Sequence, residues 1–306
     1  MQATYRPALR VPGSWFTDGG DAPVPVPEHD EDEVTMAVAA IGPLLARARL
    51  APAQLRRVAV SSRTGSGFGP LLARMLGIPA ERVEEGTAIL FGATQHAAPG
   101  EGPVLHVQTD APRPGKVPPD GVGAGAHATA RLAGPAVAPL AGLDVSPPPR
   151  EADREHVRLL AHWETEAPRR TTMGAYIPSG TWDRGAGARY RLEAGRCADG
   201  HVEFPPRPLC GHCGGPSTPF ALPHEGDIET LTIVAKGAGP TEFEPLQAIG
   251  GEYAVGIARF GAARVPGIFV PTDLAALRIG TRVATVLRRL YGQDGGWRHG
   301  LKFRPI

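Results

Sequence analysis

The chain has 306 residues, and its 32 Lys plus Arg nearly balance 31 Asp plus Glu, so no global field draws it to nucleic acid or to an anionic membrane. That length admits two domains and a substantial core. No apolar run approaches the roughly 20 residues needed to span a bilayer, and "MQATYRPALRVPG" carries no signal-peptide core; the expectation is a soluble, cytoplasmic protein.

After the Pro-rich lead-in "DAPVPVPEHD", residues Val34, Val38, Ile41, Leu45 and Ala48 recur at helical spacing and predict an amphipathic helix. The acidic triplet Glu31, Asp32 and Glu33 stands where it favours that helix's N-terminus. "LRRVAVSS" (55–62) reads as a short buried strand, "GPLLARMLGI" (69–78) as a helix stopped by Gly77 and Pro79, and "GPVLHVQTD" (102–110) as another strand. The small residues of "GVGAGAHATARLAG" (121–134) suit a closely approached strand, which completes an α/β pattern. "VSPPPREAD" (145–153) marks a boundary, followed by a helix in "REHVRLLAHWETEA"; its His156 and His162, six apart, share no face and read as solvated. Beyond residue 190, "DIETLTIVAKG", "EYAVGIARFG", "RVPGIFV" and "TRVATVLRRLYG" are short β-rich runs split by Gly and Pro, the pattern of a small barrel.

All three cysteines lie in "RCADGHVEFPPRPLCGHCGG" (196–215), a distribution that suits a metal site in a reducing compartment better than a disulfide framework. Cys210 and Cys213 form one complete Cys-x2-Cys knuckle, a spacing that seats two thiolates on adjacent corners of a tetrahedron. In the other knuckle Cys197 stands alone, and His201 is the favoured fourth ligand, with Asp199 the alternative. The competing reading is a ribbon held by side-chain contacts without metal. His212, inside the knuckle, is expected to point outward. Other constellations are weaker. Ser61 or Ser62 with His96 or His127 lacks a nucleophile-elbow motif, and "GSGFG" (65–69) matches neither a dinucleotide fingerprint nor a Walker loop.

The ribbon segment, followed by β-runs and "LRIGTRVATVLRRLYGQDGGWRHGLKFRPI", resembles the acyl-CoA-associated family of zinc ribbon plus OB-fold proteins over about residues 180–306. "FPPRPLCGHC" is its most specific feature. That family usually places a second cysteine near the position of Asp199, where this chain has none. Residues 1–145, through "DEDEVTMAVAAI", "LLARMLGI" and "GVGAGAHATARLAG", resemble the N-terminal half of a hydroxymethylglutaryl-CoA synthase, a member of the thiolase superfamily. Condensation in that superfamily needs a cysteine thiolate, and the corresponding stretch "EEGTAILFGATQH" (84–96) has no cysteine.

The resemblances imply a truncated thiolase-like α/β domain (1–145), a linker with a helix (146–189), a rubredoxin-like zinc ribbon (190–217) and an all-β OB-fold barrel (218–306). They imply a non-catalytic accessory or scaffold subunit, holding structural zinc through Cys197, His201, Cys210 and Cys213. Its partner would be a thiolase-like or HMG-CoA synthase-like condensing enzyme, in an oligomer that binds or channels acyl-CoA. Basic residues gather towards the C-terminus: Arg278, Arg282, Arg288, Arg289, Arg298, Lys302 and Arg304. They are either solvated strand faces or a rim for the phosphates of a coenzyme A thioester, the latter through Arg278, Arg282, Arg298 and Lys302. The alternatives are an independent acyl-CoA enzyme with a non-cysteine nucleophile and a nucleic-acid-binding OB protein. Near-neutral charge and aromatics at 6% speak against the last.

Overall fold

The computed structural model describes residues 1–16, 22–62, 67–86, 102–112, 126–134, 142–169, 179–235, 244–293 and 295–306. Most of "EEGTAILFGATQH", with His96, and the start of "GVGAGAHATARLAG" lie outside them. The chain divides into two compact units, Met1–His162 and Trp163–Ile306.

The first unit contains β1 (Gln2–Tyr5), β2 (Leu9–Pro12), β3 (Pro23–Pro25), α1 (Glu33–Ala48), β4 (Arg57–Ser61), α2 (Gly69–Leu76), β5 (Val83–Glu85), β6 (Val104–Asp110), β7 (His127–Ala133), β8 (Leu143–Asp144) and β9 (Arg150–Glu151). A six-stranded mixed sheet runs β5-β4-β6-β7-β1-β8, with β4 parallel to β5 and β6, and β6, β7 and β1 antiparallel in turn. α1 lies on β1, β6 and β7. It can approach closely because Ala3, Ala128 and Ala130, all fully buried, present only methyl groups towards the core.

The N-terminus of α1 is fixed by its own sequence. The Asp32 carboxylate accepts the Thr35 N–H at 2.9 Å while the Thr35 hydroxyl accepts the Asp32 N–H at 2.9 Å, a reciprocal capping box. The buried face of α1 is centred on Val34, Ala37, Ile41 and Leu44, with Met36, Ala40 and Leu45 beside it. This corrects the stripe expected from the sequence, because Val38 and Ala48 are only half-buried. The sheet and α2 both cover α1, so its apolar arc is wider than one a/d seam.

The segment 145–153 is tied along the first unit by the N–H groups of Val145, Arg150 and Ala152, which donate to the carbonyls of Thr4, Ala8 and Arg10. After it comes α3 (Arg154–Glu166). His162 is exposed as expected, but His156 is not a solvated residue. Its Nε2 faces the carboxylate of Glu28 at 3.7 Å, and its side chain is only 20% exposed. Glu28, His29, Asp30, Glu31 and Asp32 form a buried polar turn in which the Tyr5 hydroxyl donates to Glu31 and Arg150 pairs with Glu28.

The second unit contains α4 (Ser179–Arg184), α5 (Ala186–Arg191), β10 (Glu193–Cys197), β11 (Val202–Glu203), β12 (Ser217–Ala221), β13 (Glu225–Val234), α6 (Glu244–Gly250), β14 (Tyr253–Phe260), β15 (Ala263–Ile268), β16 (Arg282–Gln293) and β17 (Gly296–Pro305). The four β-rich runs read from the sequence become β13 to β16. α6 has no counterpart in that reading, because seven residues are too few to show a period. A small antiparallel sheet, β11-β10-β12, carries the cysteine segment.

The other strands form an antiparallel sheet in the order β15-β14-β13-β16-β17. It nearly closes into a barrel: Phe269, just beyond β15, bridges Phe303 of β17 in parallel, and the Val270 N–H donates to the Phe303 carbonyl at 3.0 Å. Irregularities between Ile228 and Thr230 and between Arg289 and Tyr291 let long strands coil around the barrel. Its core is built on Phe260, Phe269 and Phe303, with Phe303 ring centroids 5.6 Å from Phe260 and 5.5 Å from Phe269. Leu192 and Ala194, at the start of the small sheet, belong to the same buried cluster. The cysteine-bearing sheet is therefore fastened to the barrel by a shared core.

Candidate metal centre

Two tight turns bring the cysteine segment together. At the end of β10, the Gly200 N–H returns to the Cys197 carbonyl at 3.0 Å, and Gly200 adopts φ 84°, a left-handed conformation open to glycine. In the second turn the Cys210 N–H donates to the Gly215 carbonyl at 2.8 Å and the Gly214 N–H to the Cys210 carbonyl at 2.9 Å. Gly214 has φ 71° for the same reason. The His212 N–H points at Cys210 Sγ at 3.4 Å, so the knuckle offers a donor to a thiolate.

Cys197 Sγ, Cys210 Sγ, Cys213 Sγ and a ring nitrogen of His201 all lie within 4.8 Å of one another. Cys197 Sγ is 3.4 Å from His201 Nδ1. Tetrahedral zinc with sulfur ligands needs donors about 3.8 Å apart, so the donor set and its spacing fit zinc. His201, not Asp199, enters this group of four; the Asp199 carboxylate instead interacts with the Cys213 thiol. His212 is exposed, as expected, and its ring also stacks on His201, with centroids 5.0 Å apart.

The thiol electrostatics point the same way. The backbone N–H groups of Cys213 and His212 hold the Cys210 thiol below its usual range. At Cys213 the Gly215 N–H pulls downward, but desolvation and the neighbouring Cys197, Cys210 and Asp199 prevail and push the thiol up to about 11. Three thiols this close ionise together only beside a cation. Four protein ligands fill a tetrahedron, which describes a structural centre rather than a catalytic one with an open position.

Glu203 is a residue that ligand spacing does not reveal. From β11, in the hairpin after Cys197, its Oε1 accepts the Gly211 N–H of the other knuckle at 2.9 Å and links the two turns. Holding ligand-bearing turns in place from outside is the ordinary way a metal site is tuned.

The basic residues do not form one rim. Arg278 and Arg282 are exposed, and Arg282 pairs with Glu225. In the β16–β17 ladder Val283 faces Pro305 while Tyr291 faces Arg298, which separates the ends of the group by about 24 Å at the usual strand rise. Lys302 is 1% exposed, and Arg288 and Arg289 are also buried, so the expectation of solvated strand faces is corrected too. Arg289 turns inward because a partner awaits it: it pairs with Glu164 and lies over Trp297, 4.3 Å from the ring centroid. Ser61, one of the two serines weighed as a nucleophile, is 3% exposed at the end of β4, and Ser62 beside it is half-buried.

This geometry defines a zinc ribbon domain joined to a nearly closed barrel. Residues 184–218 match the family of the ChsH2 rubredoxin-like zinc ribbon domain. A DUF35 domain-containing scaffold protein from Pyrococcus furiosus is 30% identical over 122 residues, which are 39% of this chain and 85% of that protein. The chain belongs to the DUF35 family. Among solved structures it is similar to an Ltp2-ChsH2(DUF35) aldolase, with a TM-score of 0.33 and 20% identity over 43% of this chain and 98% of that one. It is also similar to PksG, an HMG-CoA synthase from Bacillus subtilis, with a TM-score of 0.31 and 20% identity over 43% of this chain and 37% of that one. Among the described residues no helix is long and apolar enough to cross a membrane.

Proposed function

We propose that the chain is a non-catalytic accessory subunit that scaffolds a thiolase-like condensing enzyme and helps hold or pass on its acyl-CoA thioesters. The observation that carries this reading is the commitment of every cysteine in these 306 residues to one closed four-ligand cluster. Acyl transfer of the thiolase type needs a free thiolate, and on this reading the partner supplies it. The similarity to a scaffold protein over most of that protein's length supports the same role.

In this reading the ribbon holds one structural zinc through Cys197, Cys210, Cys213 and His201, and the barrel is an OB barrel. The parts are those read from the sequence: 1–145 thiolase-like, 146–189 linker, 190–217 ribbon and 218–306 barrel. The thiolase-like part would dock on the condensing enzyme or on a second copy of this chain.

The test is intact-mass analysis of the purified chain after incubation with acyl-CoA. The expected result is an unmodified mass and no released coenzyme A. A covalent acyl adduct on any residue would overturn the proposal in favour of an independent enzyme.

A further inference from the structure

Where α4, α5 and β17 meet, two guanidinium groups converge on one indole. Arg189 Cζ lies 3.5 Å from the centroid of the Trp182 ring, and Arg298 Cζ lies 5.0 Å from the same centroid. The Arg189 Nη2 donates to the Trp182 carbonyl at 2.6 Å, which fixes the group in place. Its stem runs over Gly300 of β17, where an added Cβ would meet Arg189 Cγ at 3.3 Å. The three side chains are half-buried and so keep an open side.

No carboxylate among the described residues pairs with either guanidinium. Nearby arginines differ, since Arg191 pairs with Glu193 and Arg289 with Glu164. Arg189 Nε is screened from solvent and has no hydrogen-bond partner. Two like charges held on one indole, with no carboxylate paired to them among the described residues, are what an external anion would complete. The two guanidinium groups, together +2 and both held on the Trp182 indole, offset the charge of about −2 carried by a phosphoryl group.

We infer that Arg189 and Arg298, held against Trp182, form a binding site for a phosphoryl group. The group belongs either to a phosphorylated nucleotide carrier such as coenzyme A or to free phosphate. For coenzyme A the inference rests on the acyl-CoA part of the proposed function, to which it gives a phosphate contact; for free phosphate it is independent of that reading.

The test is isothermal titration calorimetry of the full chain with pyrophosphate, coenzyme A and phosphate-free pantetheine. Pyrophosphate and coenzyme A are expected to bind, more weakly as salt rises, and pantetheine is not. Loss of a charge-assisted contact should weaken binding about tenfold or more in Arg298→Gln and in Arg189→Gln. Coenzyme A binding well ahead of pyrophosphate identifies a nucleotide carrier; equal binding identifies a free phosphate. If Arg189→Gln fails to fold, Arg298→Gln carries the test by itself, with an unchanged melting temperature as its control. Failure of both phosphates to bind, or equal binding by wild type and Arg298→Gln, would overturn the site. So would an acidic peptide that binds in preference to both, which would make it a protein contact. Acyl adduct formation is not read in this experiment, so its outcome leaves the scaffold proposal to its own test.

Discussion

His201 Nδ1 lies 3.4 Å from Cys197 Sγ, across the turn that closes at Gly200. That contact turns an incomplete first knuckle into a three-sulfur, one-nitrogen set with Cys210 and Cys213. One zinc per chain is the expected result of elemental analysis. Structural zinc in such peptides has an apparent binding energy of about 10–16 kcal/mol near neutral pH, so chelation should unfold the ribbon and expose Leu192 and Ala194 of the shared core. His201→Ala should lower zinc affinity sharply and Asp199→Ala little; the reverse order would reassign the fourth ligand.

Closure of the barrel rests on Phe303. A Cβ added at Gly267 would stand 2.6 Å from Phe303 Cζ, so Gly267→Ala forces the ring aside. Phe303→Ala should cost about 3–5 kcal/mol by leaving a cavity, and Gly267→Ala about 1–3 kcal/mol by overpacking. Urea unfolding of both variants checks this; a Gly267→Ala protein as stable as wild type would show that the ring has room to move.

Arg289 and Glu164 form an ion pair whose side chains are 8% and 11% exposed. Glu164→Ala leaves the guanidinium buried against Trp297 without its carboxylate and should destabilise the second unit by about 3 kcal/mol. The double variant Arg289→Met/Glu164→Leu should recover most of that loss. A single variant no worse than the double would mean that the charge was never desolvated.

Glu28 makes stability depend on acid. Burial by itself would raise its pKa, but the nearby His156, 3.7 Å away, and the charges of Arg150 and His29 outweigh it, and the carboxyl is held below its ordinary value. A depressed folded-state pKa means that the group stabilises the fold above its unfolded pKa of about 4.3, and that this contribution is lost as pH falls through the folded value. Denaturation curves from pH 7 to pH 3 should therefore show less acid sensitivity in Glu28→Gln than in wild type, from a lower starting stability. Parallel pH profiles would contradict the assignment.

What was legible in the sequence was local. The acidic start of α1, the glycine stop of α2 and the two knuckles are each set by residues a few positions apart, so spacing discloses them, whereas the reciprocal cap of Asp32 with Thr35 emerges only in the structure. The β-runs were legible because Gly and Pro punctuate them. Burial of charge was not. Glu28 meets Arg150 and His156, and Arg289 meets Glu164, across more than a hundred residues in each case. A one-dimensional reading assigns such side chains to solvent. Lys302 and Arg288 are buried as well, and the Arg189, Trp182 and Arg298 cluster joins two short helices to a distant strand, a juxtaposition that spacing does not disclose. The width of the α1 face was underestimated because two layers, rather than one, cover it.

The central claim is that this chain works as a subunit of a condensing complex. The most direct test is native purification of the tagged full-length protein from its own cell, followed by size-exclusion chromatography and mass-spectrometric identification of whatever co-elutes in fixed ratio. The account predicts a stable assembly containing a thiolase-superfamily enzyme with its own cysteine nucleophile, and condensing activity that follows that assembly and not the chain alone. A monomer at micromolar concentration, eluting without any such enzyme, would contradict it.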